Sequence, residues 1–432
     1  MNQDTRPQFL FLAEDLHACI LTFLSYRDIL RCTSASIISL VAIDTPKWDF
    51  VLTLILQYIV ELGGQQLLPV GLGAHNHTPI SERLRLLRDK AHAWFKFDTR
   101  PVQTVVVPER FRNEKTFVSN GHLCLGHANG PGFAKISSIL PKPTKQGINR
   151  EWHCLESLLS VPNAHNNGVL IDPEQNLAAV VYEIIGKSGA YIDLLALDGD
   201  GSHPRAVGPT LSTVQGLPRR QSITQTRESW RLDGLGRHIA LWHFLRLYDP
   251  HRSLLWLQIW DWQHSTTSNC ILRDTLFAYG LEESIDSCFL GNNRLLIASD
   301  KLKIYSIEDM SQAPQLLACF LLPSIVDAVK CFPTTDNIAH ISQTGMQHTT
   351  WASDPSDRVL CLLAAPPLAL FVISTSTFFE LDFFEEMATA IPWKIWGPSN
   401  TRIFKHDSSF GVGVGGSRVL RAVPACCTKH GS

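Results

Sequence analysis

No two of the 11 cysteines stand in a Cys-x-x-Cys pair. The scattered, odd-numbered set therefore supplies neither a zinc-ligand quartet nor a disulfide framework, and reads as buried thiols of a reducing compartment. An excess of either charge is also missing. There are 38 Lys and Arg against 40 Asp and Glu, a formal net charge of -2, and a pI near 6.8. A surface that neutralises phosphates needs a basic surplus, so nucleic acid is not expected as a partner. Long apolar runs are absent too. The longest, Val359 to Ser374, contains Pro366 and Pro367 and falls short of the about 20 residues that span a bilayer, so no membrane partner is expected. The opening residues Met1 to Pro7 lack the basic region and apolar core of a signal peptide. The expected location is intracellular, in the cytoplasm, the nucleus or both.

Apolar residues are plentiful, at 45% of the 432, while charged residues make up 18%. Such a chain buries a sizeable core, is not disordered in bulk, and is long enough for at least two units. Its first hundred residues carry helical spacing. Leu16, Ile20 and Leu24 fall one turn apart with Phe23 beside them, and Ser25-Tyr26-Arg27-Asp28 resembles a capping box before Ile29 and Leu30. Leu84, Leu87, Ala91 and Trp94 predict a further helix from Ser81 to about Phe97, started at Thr78-Pro79 or Ser81. Glycines at Gly63-Gly64 and the Gly71 to His77 stretch interrupt the pattern.

After Arg100 the period changes from helical to alternating. Short β-branched and aromatic runs predict strands at Val102 to Val107, Leu177 to Ile185, Tyr191 to Leu197, Ile239 to Phe244 and Leu254 to Trp262. Others follow at Leu295 to Ser299, Leu302 to Ile307, Val359 to Leu363, Leu368 to Ile373 and Val419 to Val423. No amphipathic helix separates them, which argues against a parallel α/β sheet. Three stretches read as one repeated unit of strand, turn and strand. They end at Leu197, Asp261 and Ile307. A small antiparallel sheet of this kind cannot bury both faces alone and stacks on its neighbours, as a propeller blade does. A β-sandwich is the structural alternative.

Several motifs have plainer structural readings. Gly411-Val412-Gly413-Val414-Gly415-Gly416 fits a phosphate-loop spacing, but strand-like Val419-Leu420 follows where a helix is needed, so a late strand and turn is expected. Asp198-Gly199-Asp200-Gly201 lacks the later glutamate of a calcium loop and reads as a turn. His122-x-Cys124-x-x-His127 and His75-x-His77 lack a second ligand pair. Arg219-Arg220-Gln221-Ser222 looks like a basic-directed kinase site, with solvated loop charge as the simpler account. No Gly-x-Ser-x-Gly elbow is present. No catalytic, cofactor-binding or metal-binding residue is assigned, no cofactor is expected, and the chain is not expected to be an enzyme. Of the large aromatics, Trp230, Trp242, Trp256, Trp260, Trp262, Trp351, Trp393 and Trp396, most are expected to pack between blades.

Leu12-Ala13-Glu14-Asp15-Leu16, then Ile20-Leu21, Leu24 and Asp28-Ile29-Leu30-Arg31, resemble an F-box, whose pattern is Leu-Pro-Glu-Asp-Leu, Ile-Leu, Leu and Asp-Leu-Leu-Arg. Ala13 stands where the pattern has proline. The order of parts resembles F-box proteins of mushroom-forming fungi: the box, a phrase like Leu56 to Leu62, an Arg/Leu-rich helix from Glu82 to Trp94, then β phrases like Leu257 to Trp262. The resemblance implies a substrate-receptor subunit of a Skp–cullin–F-box E3 ubiquitin ligase. Its adaptor-binding residues would be Leu12, Leu16, Ile20, Leu21, Leu24, Asp28, Ile29 and Leu30. Its partners would be a Skp-type adaptor, a cullin through that adaptor, and a target protein held by the β region. The implied fold class is α+β and multidomain. A helical F-box with an irregular insert spans residues 9–62, a linker and helix 63–100, and an all-β, propeller-like domain 101–432. The stretch Ile38 to Thr53 departs from the pattern, because Pro46 within Asp44-Thr45-Pro46-Lys47-Trp48 would end a helix, and reads as an insertion or a divergent third helix. An adaptor-independent scaffold with a degenerate box, or a propeller hydrolase or lectin, are the alternative functions.

Overall fold

A computed structural model describes residues 46–69, 79–96, 115–119, 122–126, 133–138, 150–153, 161, 163–173, 175–185, 187, 189–199, 201–213, 228–246, 252–277, 285–323, 328–332, 351–365, 368–381, 390–406, 411–415 and 418–422. These residues are mostly β, in several antiparallel sheets, with few helices. The chain forms two compact units.

The smaller unit pairs helices α1 (Pro46–Gly64) and α2 (Ile80–Lys96), with the short strand β1 (Leu67–Pro69) between them. Residues 46–53, expected to be irregular around Pro46, are the first turns of α1. Proline is tolerated there because the first helical N–H has no intrahelical acceptor to lose. Tyr58 and Leu62, one turn apart, meet Leu84 and Leu87 of α2, with Leu67 and half-buried Leu54, Ile80 and Trp351 around them. Gln65 closes the end of α1 by donating from Nε2 to the Leu87 carbonyl at 3.1 Å. Trp351 and Ala352 belong to this unit, far along the chain from its helices.

The larger unit is a series of four-stranded antiparallel sheets, each built from neighbouring segments of chain. The first contains β2 (Lys115–Ser119), β3 (His122–Gly126), β4 (Phe133–Ser138) and β5 (Arg150–His153). The second contains β6 (Ala164–Asp172), β7 (Leu177–Ile184), β8 (Ala190–Ala196) and β9 (Thr210–Ser212). The third contains β10 (Glu228–Leu235), β11 (His238–Arg246), β12 (Arg252–Asp261) and β13 (Cys270–Phe277). The fourth contains β14 (Asp286–Phe289), β15 (Arg294–Ala298), β16 (Lys301–Ser306) and β17 (Gln315–Leu321). The fifth begins with β18 (Ala328–Phe332); β19 (Trp351–Ser353) then leaves to pair with β1. The fifth sheet resumes with β20 (Val359–Ala365), β21 (Ala369–Ser374) and, after helix α3 (Trp393–Asn400), β22 (Thr401–Lys405). A hairpin of β23 (Gly411–Gly415) and β24 (Arg418–Ala422) follows.

Both faces of the middle sheets are buried, which explains why their strands read as unbroken apolar runs. Alternate residues belong to different interfaces. On β11, Ile239 and Leu241 pack against Leu177, Ala179 and Val181 of the second sheet. Ala240 and Trp242, between them in sequence, pack against Leu295, Ile297 and Tyr305 of the fourth. On β15 and β16, Leu296, Ala298, Leu302 and Ile304 face Leu360, Leu362, Phe371 and Ile373 of the fifth. Cys361 and Leu370 pack in turn against Val414, with Val412 and Val419 beside it. Two large sheets facing each other, as in a sandwich, would give one core rather than this succession.

Candidate functional site

The strands that open successive sheets lie side by side: β6 by β10, β10 by β14, and β14 by β18. Charged side chains gather on this row. Alternation along β10 sends Trp230 and Leu232 toward the second sheet, and Arg231 and Asp233 toward β14. Arg231 donates from Nε to Asp233 Oδ1 at 3.0 Å and from Nη2 to the Ser287 carbonyl at 3.3 Å. Its Nη1 is bonded to Asp286 Oδ1. The other Asp286 oxygen accepts the Cys331 backbone N–H at 2.7 Å. One carboxylate thereby ties the first strands of the third, fourth and fifth sheets.

Burial pushes the Asp233 carboxyl up, against the pull of Arg231. Burial also works against the Arg231 charge, but Asp233 and Asp286 outweigh it and hold the guanidinium protonated. Arg231 is the solvent-facing member, with 40% of its side chain exposed against 9% for Asp286. The paired charges brace the sheets. Ser287 Oγ donates to Asp233 Oδ2 at 3.4 Å.

A second tie joins the second and third sheets. Gln175 Nε2 donates to Asp172 Oδ2 and to the Gly236 carbonyl, each at 2.8 Å. Trp262 Nε1 donates to the same carbonyl at 3.0 Å. His203 stands edge-on to the Trp262 ring, with centroids 4.8 Å apart. Its Nε2 lies 2.8 Å from the Gln175 carbonyl, and its Nδ1 accepts the Arg205 N–H at 3.1 Å. These partners select the neutral tautomer protonated at Nε2. Burial, the largest influence, lowers the affinity of this imidazole for a second proton.

Three buried thiols, Cys270, Cys331 and Cys361, are kept neutral. Burial pushes Cys361 up to about 12, and Cys270 to the same value with help from the Asp309 charge. A hydrogen bond with Cys288, together with burial, raises Cys331 well above the ordinary thiol range. A thiol with so little thiolate at neutral pH is a poor nucleophile. Among the described residues, no group of three or more His, Cys, Asp and Glu is placed to hold a metal ion. Among them, no helix is long and apolar enough to cross a membrane.

The expected adaptor-binding residues Leu12, Leu16, Ile20, Leu21, Leu24, Asp28, Ile29 and Leu30 lie outside the described residues. So do Val102 to Val107, His75, His77, His127 and Arg219 to Ser222. The glycine-rich Gly411–Gly415 is strand β23, paired with β24. Asp198 and Gly199 are in the turn after β8, where Asn176 Nδ2 donates to Asp198 Oδ1 at 2.5 Å. Trp260, Trp262 and Trp396 are completely enclosed, and Trp242 almost so. Trp351 is packed in the helical unit instead. The braces were not anticipated from sequence. Their only local sign is the charged alternation Arg231-Leu232-Asp233 in a strand otherwise facing apolar neighbours.

No protein-family model matches the chain. No curated protein matches it either. Solved structures give distant likenesses. The fission yeast SREBP–SCAP binding-domain complex is 8% identical, with 78% of this chain and 96% of that one covered and a TM-score of 0.35. The C-terminal WD40 domain of Sif2 is 13% identical over 70% and 93% of the two chains, with a TM-score of 0.25. Prolyl oligopeptidase B from Galerina marginata, bound to a 35mer hydrolysis and macrocyclization substrate, is 11% identical over 62% of this chain and 43% of that one, with a TM-score of 0.29. The architecture is defined by the chain's own strand order.

Proposed function

We propose that this chain is a non-catalytic receptor subunit whose N-terminal box binds a Skp-type adaptor and whose β unit holds a target protein for ubiquitination by a Skp–cullin–F-box ligase. The observation that carries the β half of this reading is the succession of four-stranded sheets. Their apolar faces bury one another, and their first strands lie side by side. A propeller with the first strands around a central channel follows from continuing that series into a closed ring. Such a body is a rigid support whose outer strands and loops are available to partners. The adaptor half rests on the Leu12 to Arg31 resemblance.

Co-purification with the adaptor subunit of the source organism tests it. The wild-type chain is expected to recover the adaptor, and Leu16→Asp combined with Ile20→Asp to recover at least about tenfold less, since each lost apolar contact costs about 2 to 5 kcal/mol. A folded wild-type chain that recovers no adaptor overturns the ligase reading and leaves an adaptor-independent scaffold. Equal recovery by both proteins rejects this docking face.

A further inference from the structure

Two buried thiols meet across the junction of the fourth and fifth sheets. β14 and β18, the first strands of those sheets, lie side by side. Alternation along β14 sends Cys288 into the core shared with the fifth sheet, and Ser287 toward Asp233 of the third. Asp286, on the same strand, accepts the Cys331 backbone N–H at 2.7 Å and so holds β18 against β14 at this level. The side chains of Cys288 and Cys331 are hydrogen-bonded to each other. Neither is in a disulfide, and they are 5% and 6% exposed, which keeps them from thiols of other molecules.

The neighbouring buried thiols face elsewhere. Leu362 is the residue paired with Cys331 across β18 and β20, so Cys361 beside it points to the opposite side of the fifth sheet. There it packs against Val414. Cys270 belongs to the core between the third and fourth sheets. Within the pair, the shared hydrogen bond and burial hold the proton on Cys331, which leaves Cys288 as the sulfur that reacts first.

We infer that Cys288 and Cys331 are a peroxide-responsive pair, oxidised to a disulfide that locks the fourth sheet to the fifth. Cys288 Sγ attacks one oxygen of hydrogen peroxide; the O–O bond breaks and water leaves, giving a sulfenic acid. Cys331 Sγ then attacks the Cys288 sulfur, the S–O bond breaks, and the thiol proton leaves with the hydroxyl as a second water. Each sulfur gives up one electron and each peroxide oxygen gains one. Peroxide is little larger than water and reaches the pair when the junction opens locally. The lock lies within the β unit and needs neither adaptor nor target.

The test treats the folded full chain with hydrogen peroxide, blocks the remaining thiols with N-ethylmaleimide in urea, and maps the non-reduced peptides by mass spectrometry. The Cys288–Cys331 linked peptide is expected at least about tenfold above any pairing with Cys361, because a disulfide forms only between sulfurs that the fold brings close. Dithiothreitol should reverse it. Amide exchange in β14 and β18 should slow at least about tenfold on oxidation, and far less in β7 and β8. Cys331→Ala should remove the link and the slowing, and let Cys288 proceed to the sulfinic acid. Cys361→Ala should retain both effects, and with the wild-type map it decides the matter if Cys331→Ala does not fold. Recovery of both thiols unoxidised from the treated wild type overturns the inference, as does sulfinic acid at Cys288 without a link. A link that forms only in urea, or equally with Cys361, also overturns it.

Discussion

His243 lies flat against Trp230, with ring centroids 4.1 Å apart and planes 16° from parallel. Burial pushes its pKa down to about 4, so protons bind the unfolded chain first as pH falls through the ordinary 6.5. Stability is therefore fully present above pH 6.5 and drains away as pH drops toward 4, by about 2 to 3 kcal/mol for this group. Half-buried Asp193 and Asp233, whose carboxyls are pushed up by desolvation, act in the opposite sense. Comparison with His243→Phe isolates the imidazole. Urea unfolding at pH 7.5 and 4.5 should show the wild type losing more stability than the variant over that interval. Gly397 is a second residue with a specific requirement. A Cβ there would run into the Trp393 indole, which packs edge-on against Trp396 at 4.8 Å. Gly397→Ala should lower stability by about 1 to 3 kcal/mol, the usual cost of overpacking, read as a lower urea midpoint with an unchanged slope.

Among elements, those with one strong pattern were legible in the sequence. The spacing of Leu84 and Leu87 places α2 within a residue of its observed start, and the runs at Leu177, Tyr191, Ile239, Leu254, Leu295 and Leu302 are strands β7, β8, β11, β12, β15 and β16. Each lies inside a sheet and carries a run or alternation of buried apolar residues, so its composition is dominated by its packing. Outer strands lack that signature. β9, β17 and β22 carry Thr210, Gln315 and Arg402 among their residues, and half of their surface has no core to match. α3 was hidden because Gly397 and Pro398 lie within its eight residues. Those residues fit because Trp396 anchors the helix, donating from Nε1 to the Leu321 carbonyl at 3.0 Å. The start of α1 was left open between an insertion and a divergent helix because of its proline, since Pro46 is permissive at the first turn and disruptive only inside a helix. The charged braces were illegible because Arg231, Asp286 and Cys331 meet across separate sheets.

At the scale of the molecule, the larger unit is held by a series of interfaces, each shared by two sheets. Removing a side chain from one should loosen its two sheets most. Trp242 packs the third sheet against the fourth and is almost wholly enclosed. Trp242→Ala should cost about 3 to 5 kcal/mol. Amide exchange should accelerate in β11 and β15 more than in β20 and β21; uniform acceleration would mean that the sheets unfold as one cooperative body.

The return of Trp351 to the helical unit has a consequence for the order in which this protein is made. Chains leave the ribosome from the N-terminus, and a unit completes its core only when its last contributor has emerged. Tyr58, Leu62, Leu84 and Leu87 must wait for Trp351, by which time the first four sheets are already outside. A gene fragment ending near residue 101 would encode both helices without Trp351. The helical unit thus completes its core only after the strands of the first four sheets have been made.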